Sequence, residues 1–396
     1  MAFRHILSNL LILLAGAPRL IAQSDSVELT SCCQALADTF PDEISTSTLR
    51  SSVYEKSNTR VWSASTILSP ACVFQPTTVK NLAAAVAQLA NDSCEFAIKS
   101  GGYNPIAGAA NIDAGVAIDL NLLNQVELRT DGGGVISLGA GALWRDVYDK
   151  FENEGIGFAG SQVGFIGVSG LVLGGGYSYF QASAGWAADT VVNFEVVLAS
   201  GEIVNANQAA NSDLFKALKG GGGNFGIVTK VFLQTWEQGT LWAGIKWLSI
   251  QPEDAGPLLL GRLRNFTVQN NDNTRVTASV EINLSSGAPP TARIDFVNID
   301  GVEDAIQLES FANLEHYDDA VWDIVEEWTT EVSKATDELG MADPFVHLNF
   351  AGRFQKPFCG YGADNLEFLR EVAGKYDPDQ VFQELVPGGF KLNVEC

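Results

Sequence analysis

The sequence predicts an α+β fold in two parts, and three observations carry that reading. Through the first 237 residues, short strand-like runs alternate with helical patterns and hairpin turns, which argues for a mixed fold over a doubly wound parallel sheet. From Trp242 onward the pattern changes to longer alternating strands around one helix-like stretch. Glycine-rich runs fall at the ends of strands and helices, where they act as loops.

Taken in order, residues 1–22 combine Arg4 and His5 with an apolar run over 6–15 and small residues up to Ala22. That is the pattern of a cleaved secretory signal, and the run is too short for a membrane span. Residues 76–89 read as a helix capped by Thr77 or Thr78, with apolar residues at helical spacing. Residues 96–99 and 116–120 read as strands, and 126–129 with 135–139 as a hairpin around the Asp131-Gly-Gly-Gly134 turn. A helix over 143–153 follows, then strands over 191–198 and 202–204 flanking a Ser200-Gly201 turn. Strands are expected over 242–250, 275–284 and 291–299, with a helix over 252–267. Residues 318–339 make an amphipathic helix whose apolar face is Val321, Trp322, Ile324, Val325, Trp328 and Val332, while Asp323, Glu326 and Glu327 form its solvated side. A strand over 345–350 and a helix over 365–375 return to the first part.

At 396 residues the chain can bury the cores of two domains, and 46% hydrophobic against 18% charged content is that of a globular protein. A formal charge of −23, with no basic cluster to offset it, repels phosphate backbones and anionic lipid, so nucleic acid is excluded as a partner. Cys32, Cys33, Cys72 and Cys94 in the first quarter, and Cys359 and Cys396 near the end, suit an exported protein. Four cysteines allow three pairings, and at least one bridge is expected among them. With His5, His316 and His347 the only histidines, no spacing suits a metal site. Asn91, Asn265 and Asn283 stand in glycosylation triplets.

Chemistry enters with the loops. Residues 95–104 read Glu-Phe-Ala-Ile-Lys-Ser-Gly-Gly-Tyr-Asn, a short strand entering a Ser-Gly-Gly turn. Glycines at 101 and 102 remove Cβ atoms that would block an anion, so successive N–H groups can converge on it. Residues 161–177 are apolar and glycine-rich and can approach a flat ligand closely. Residues 219–229, with four consecutive glycines, link a helix to a strand. Gly139-Ala-Gly141 invites a dinucleotide-fold reading, but Trp144 stands where the third glycine belongs, so the pair is structural.

The order and content of these loops resemble the FAD-linked oxidoreductases of the berberine bridge enzyme type, within the vanillyl-alcohol oxidase superfamily. Residues 375–382 and 387–391 look like the C-terminus of its secreted fungal members. The resemblance implies a two-part PCMH-type FAD-binding domain over 23–237, a shortened antiparallel-sheet substrate domain over 238–344, and a segment over 345–396 returning to the FAD domain. Family members carry a longer stretch after the strand ending near Ile299, which leaves either a reduced substrate sheet or an incomplete reading of the gene. FAD is then expected with its pyrophosphate on Ser100, Gly101 and Gly102, beside Tyr103 and Asn104. Its ring would lie against Gly164, Ile166, Gly167, Gly170 and Gly174, its adenine side near Ile227 and Val228, with Asn349 also at the site.

Two departures from the family pattern shape the expectation. Tyr103 occupies the position of a histidine that bonds to the flavin, and Val163 that of a second, cysteine tether. A phenol with a pKa near 10 is a poor nucleophile at neutral pH, so FAD is expected without a covalent bond. Ile166 stands where the family screens the flavin from oxygen, isoleucine being more obstructive than valine. The family's catalytic tyrosine after the late-strand asparagine is here Phe350, which cannot titrate; Tyr361 and His347 are the remaining candidates, with Tyr361 taken as the catalytic residue. The implied activity is oxidation of a small-molecule alcohol, phenol or related carbon in fungal secondary metabolism, with molecular oxygen an optional acceptor. The alternative is a flavin fold without redox turnover, binding a small molecule or guiding a redox-neutral cyclisation or dehydration. The site is secreted or in the secretory lumen; the sequence leaves substrate and oligomeric state open.

Overall fold

A computed structural model describes residues 30–129, 134–249, 255–270, 272–283, 291–302, 345, 347–351 and 355–396. The expected signal segment, the turn of the 126–139 hairpin and the helix expected over 318–339 lie outside the described residues.

Strands β1 (Ile44–Ser45), β2 (Cys72–Phe74), β3 (Phe96–Lys99) and β4 (Val116–Asp119) form the first sheet in the order β1-β2-β4-β3, with β2, β4 and β3 parallel and β1 antiparallel to β2. The helix Val79–Asn91 makes the crossover that a parallel pair requires and buries Leu82, Ala83, Ala85, Val86 and Leu89. Thr78 is its cap, its hydroxyl accepting from the Asn81 N–H at 3.1 Å. Thr77 is unavailable for that task because its N–H and hydroxyl both bond to Glu43 Oε1. Disulfides Cys32–Cys94 and Cys33–Cys72 staple the helix Ser31–Thr39 to this sheet, and Cys359–Cys396 closes the C-terminus. Each contributes about 2–4 kcal/mol.

The second sheet contains β5 (Val126–Arg129), β6 (Val135–Gly139), β8 (Val191–Val197), β9 (Ile203–Ala206) and β10 (Ile227–Gln234), all antiparallel, in the order β5-β6-β10-β8-β9. A separate pair joins β7 (Ile156–Gly157) to β11 (Trp236–Glu237). Trp144, Phe194, Phe225 and Phe358 fill the core of the second sheet, and the expected hairpin and 191–206 pair both form there. The helix Ala363–Tyr376 returns to this body as expected: the Tyr376 hydroxyl donates to Asp213 at 2.7 Å, beside Lys375 on the same carboxylate. Hydrogen bonds from Lys375, Tyr376 and the Leu214 N–H overcome burial and hold Asp213 at about 2.

Beyond these lies a three-stranded antiparallel unit, β12 (Trp242–Ser249), β14 (Thr291–Asn298) and β13 (Val276–Asn283) in the order β12-β14-β13. The helix Ala255–Gln269 covers one face over a small core of Leu259, Phe266, Val276, Ala292, Ile294 and Phe296. Mixed and antiparallel sheets together give the α+β class.

One expected element is corrected. The strand expected over 345–350 is not found at its described end: Leu348–Phe350 is a single 3₁₀ turn, closed by the Phe350 N–H on the His347 carbonyl at 3.0 Å. The Asn349 side chain docks this turn on the helix Val168–Leu173, through the Gly170 carbonyl, and on the Gly176 N–H that follows it. Among the described residues, no helix is long and apolar enough to cross a membrane.

Candidate functional site: three interlocked glycine loops

The first loop leaves β3 at Ser100. Gly102 adopts φ +73°, and a Cβ there would lie 2.4 Å from the Arg60 carbonyl oxygen. A Cβ on Gly101 would lie 2.4 Å from the Gly167 nitrogen of the second loop. The expectation that these glycines directly clear space for an anion is therefore corrected. Their missing side chains admit other backbone, and that packing shapes the loop. The N–H groups of Gly101, Gly102, Tyr103 and Asn104 donate to no acceptor among the described residues. Four consecutive unpaired donors suit a phosphate group.

The loops hold one another. Ser100 Oγ donates to the Ala140 carbonyl, and the Ala140 N–H donates to the Thr229 carbonyl at 2.9 Å, joining the first loop to the third. The Gly222 N–H donates to the Leu173 carbonyl at 3.0 Å, joining the third to the second. Gly139 and Gly141 are structural as expected, since Cβ atoms there would meet the Leu123 and Leu120 carbonyls.

In the second loop, Gly164 and Ile166 accept backbone bonds from Arg145 and Trp144 at 2.8 and 3.0 Å, which docks the loop on the helix Trp144–Phe151. Ile166 packs half-buried against the core. Asn349 spans the loop, its Nδ2 donating to the Gly170 carbonyl at 2.9 Å and its Oδ1 accepting from the Gly176 N–H at 3.2 Å. Gly174 leaves room for that amide, which would lie 2.1 Å from a Cβ. Gly170 has no atom within 4 Å of its Cβ position, and Ser169 Oγ is buried with no partner. In the third loop, Ile227 and Val228 pair with β8, whereas pairing with β6 begins only at Lys230. Their edge on that side extends past β6.

Free loop donors, the orphaned Ser169 hydroxyl and the open face at Gly170 are what an extended, phosphate-bearing flat cofactor requires, so the residues fit FAD. The tethering positions behave otherwise. Tyr103 sets its ring 5.8 Å from Trp62, and all six cysteines are in disulfides.

The two candidate bases differ. The Tyr361 hydroxyl donates to the Gly220 carbonyl at 2.9 Å, its ring stacks on Phe345 at 5.7 Å, and burial pushes the phenol up to about 12. His347 stacks on Trp186 at 4.6 Å and lies 5.0 Å from Phe350. Both its ring nitrogens are buried without a partner, burial pushes its pKa down, and Nε2 lies 3.2 Å from a Cβ position on Gly175. A neutral imidazole against the second loop is the result.

Sequence reasoning missed Arg60, Lys99 and Asp119, which meet under the first loop. The one signal was a lysine closing an otherwise apolar strand just before Ser-Gly-Gly; its partners lie in other elements.

Comparison with known proteins agrees with this geometry. Residues 70–207 match the FAD binding domain family. The FAD-dependent monooxygenase prx3 of Penicillium roqueforti is 29% identical over 490 aligned positions, covering 94% of this chain and 95% of that protein. That alignment is longer than the 396-residue chain, so the relative carries segments with no counterpart here. Among solved structures, 6-hydroxy-D-nicotine oxidase from Arthrobacter nicotinovorans superposes with a TM-score of 0.71 at 17% identity, over 89% of this chain and 98% of that one. Glucooligosaccharide oxidase from Acremonium strictum, whose FAD is 6-S-cysteinyl and 8α-N1-histidyl, gives 0.66 at 15% identity, over 92% and 100%. Residues 70–207 are thus matched as an FAD binding domain, in a chain that is similar to fungal FAD-dependent monooxygenases over most of its length and shares its fold with these oxidases.

Proposed function

We propose that this protein oxidises an alcohol, phenol or related carbon of a small molecule, in a fungal secondary-metabolite pathway, using FAD held without a covalent bond. The absence of a tethering nucleophile carries the reading: Tyr103 and Val163 stand at the two positions, and every cysteine is already in a disulfide. Three disulfides support maturation in the secretory lumen. Gly101, Gly102, Tyr103 and Asn104 would hold the pyrophosphate through their N–H groups. Gly164, Ile166, Gly167, Gly170 and Gly174 would border the ring, and Ile227 and Val228 the adenine side. When bound, FAD supplies the hydride acceptor. Acid or heat precipitation should release yellow cofactor into the supernatant. A pellet that stays yellow and yields a flavin-bearing peptide containing Tyr103 would sink the non-covalent reading.

For the proton, His347 is the better acceptor, replacing Tyr361 in that role. A phenol held near 12 and already donating to Gly220 accepts no proton at neutral pH, whereas a neutral His347 has one unprotonated ring nitrogen, and neither nitrogen has a partner among the described residues. His347→Ala should lower kcat about 10²–10⁴-fold with flavin content unchanged, and Tyr361→Phe much less. The reverse ranking in steady-state assays would return Tyr361 to the role.

A further inference from the structure

Beneath the first loop lies a buried group of charges that the reading above does not use. Lys99 and Asp119 end β3 and β4 in register; Asp119 is wholly buried and Lys99 is 1% exposed. The Asp119 carboxylate accepts from the Ser57 hydroxyl, from Gln75 Nε2 at 3.3 Å and from the Arg60 guanidinium, and Lys99 Nζ stands 3.8 Å away. The Lys99 ammonium itself donates to the Ser57 carbonyl and, at 3.0 Å, to its hydroxyl. Two cations thus share one carboxylate, the Arg60 side chain 26% exposed and that of Lys99 1%, so the group carries one positive charge in excess in a chain of net charge −23. An uncompensated buried charge is costly, which raises the question of what offsets it.

Its position answers. The Lys99 stem packs under Gly102, with Cδ 3.5 Å from the Cβ position there. Arg60 Nη1 donates to the Ser100 carbonyl at 2.9 Å, the Arg60 carbonyl lies under Gly102, and the Trp62 N–H donates to the Gly102 carbonyl at 3.0 Å. Residues 60–62 therefore follow the first loop at three points.

We propose that Arg60 and Lys99 are positioning residues of the anion loop: Arg60, neutralised by Asp119, fixes its shape, and Lys99 holds one free positive charge beneath it for the cofactor's pyrophosphate. The proposal rests on the FAD reading above. The charges that act on Lys99 are Asp119 of β4 and Arg60, which follows the helix Ser51–Asn58. Burial lowers its pKa to about 8 against the pull of Asp119. A dianion bound above it raises that value, so cofactor and proton favour each other's binding. In the cofactor-free protein Lys99 is charged below about pH 8 and loses its proton above it, so affinity for FAD falls as pH rises through that value.

The test measures FAD dissociation constants by flavin fluorescence at pH 6.5 and pH 9, for the parent and Lys99→Met. Both carry Tyr103→Phe, which leaves no phenol to tether the ring. Lys99→Met should weaken binding about tenfold at pH 6.5, the scale of one unit charge acting through several ångströms of protein. It should also flatten the pH dependence. Binding by the variant within twofold of the parent at pH 6.5, or equal parent affinities at the two pH values, would overturn the proposal. Should Lys99→Met fail to fold, Lys99→Gln takes its place in the same measurements. A parent that binds no FAD at either pH removes the cofactor reading itself, an outcome distinct from a loss confined to the variant.

Discussion

The loop body and the three-stranded unit treat space in opposite ways. At Gly101 and Gly167 an added Cβ would approach backbone of the facing loop to 2.4 and 2.5 Å, and at Gly174 it would meet the docked Asn349 amide. In the other unit a Cβ on Gly244 would meet only the edge of Trp242 at 3.1 Å, and on Gly261 nothing within 4 Å. Backbone cannot step aside as a side chain can, so the loops are held tightly at Gly101 and Gly167, while Gly244 of the sheet faces only a side chain. The sheet is itself divided: Ile294 is wholly buried toward the covering helix, whereas Ile245 and Trp247 are 58% and 56% exposed. The loops have no latitude at Gly101 and Gly167; the outward residues of the three-stranded unit have a great deal.

Substitutions can break this contrast. Gly101→Ala should cost about 3 kcal/mol or more and remove flavin, because its methyl must displace the Gly167 backbone. Gly170→Ala, with open space at its Cβ, should do neither. Thermal melts with flavin content measured on the same samples decide; a folded, yellow Gly101→Ala protein would contradict the interlock. Smaller effects sharpen the division within the sheet. Ile294→Ala should cost about 2–4 kcal/mol by leaving a cavity, and Ile245→Ala within about 0.5 kcal/mol. Equal losses in denaturant titrations would show that both faces are covered.

Much of the frame was legible before any coordinates. Strand and helix positions followed from periodicity, and the 126–139 hairpin and the helix after Thr78 formed as their turn and cap residues indicate. The third loop could be placed between the helix Ser212–Leu218 and β10 because its glycines separate two clear apolar patterns. The 345–350 segment was misread because its apolar residues alternate like those of a strand, while the feature that decides its shape, the Asn349 amide bridging Gly170 and Gly176, depends on residues more than 170 positions away. The cap ambiguity between Thr77 and Thr78 had the same origin, since Glu43 is remote in sequence.

The sequence by itself determined the α+β class, the glycine loops and their order, because each depends on local backbone preference or on the identity of a side chain. Only the tertiary structure decided what an added Cβ at those glycines would meet, that the Tyr361 hydroxyl is engaged by Gly220 while the His347 nitrogens have no partner among the described residues, and that Lys99, Asp119 and Arg60 converge under one loop. Those are questions of which distant atoms share a neighbourhood, and both the steric demand on a glycine and the proton affinity of a buried group are set by that neighbourhood.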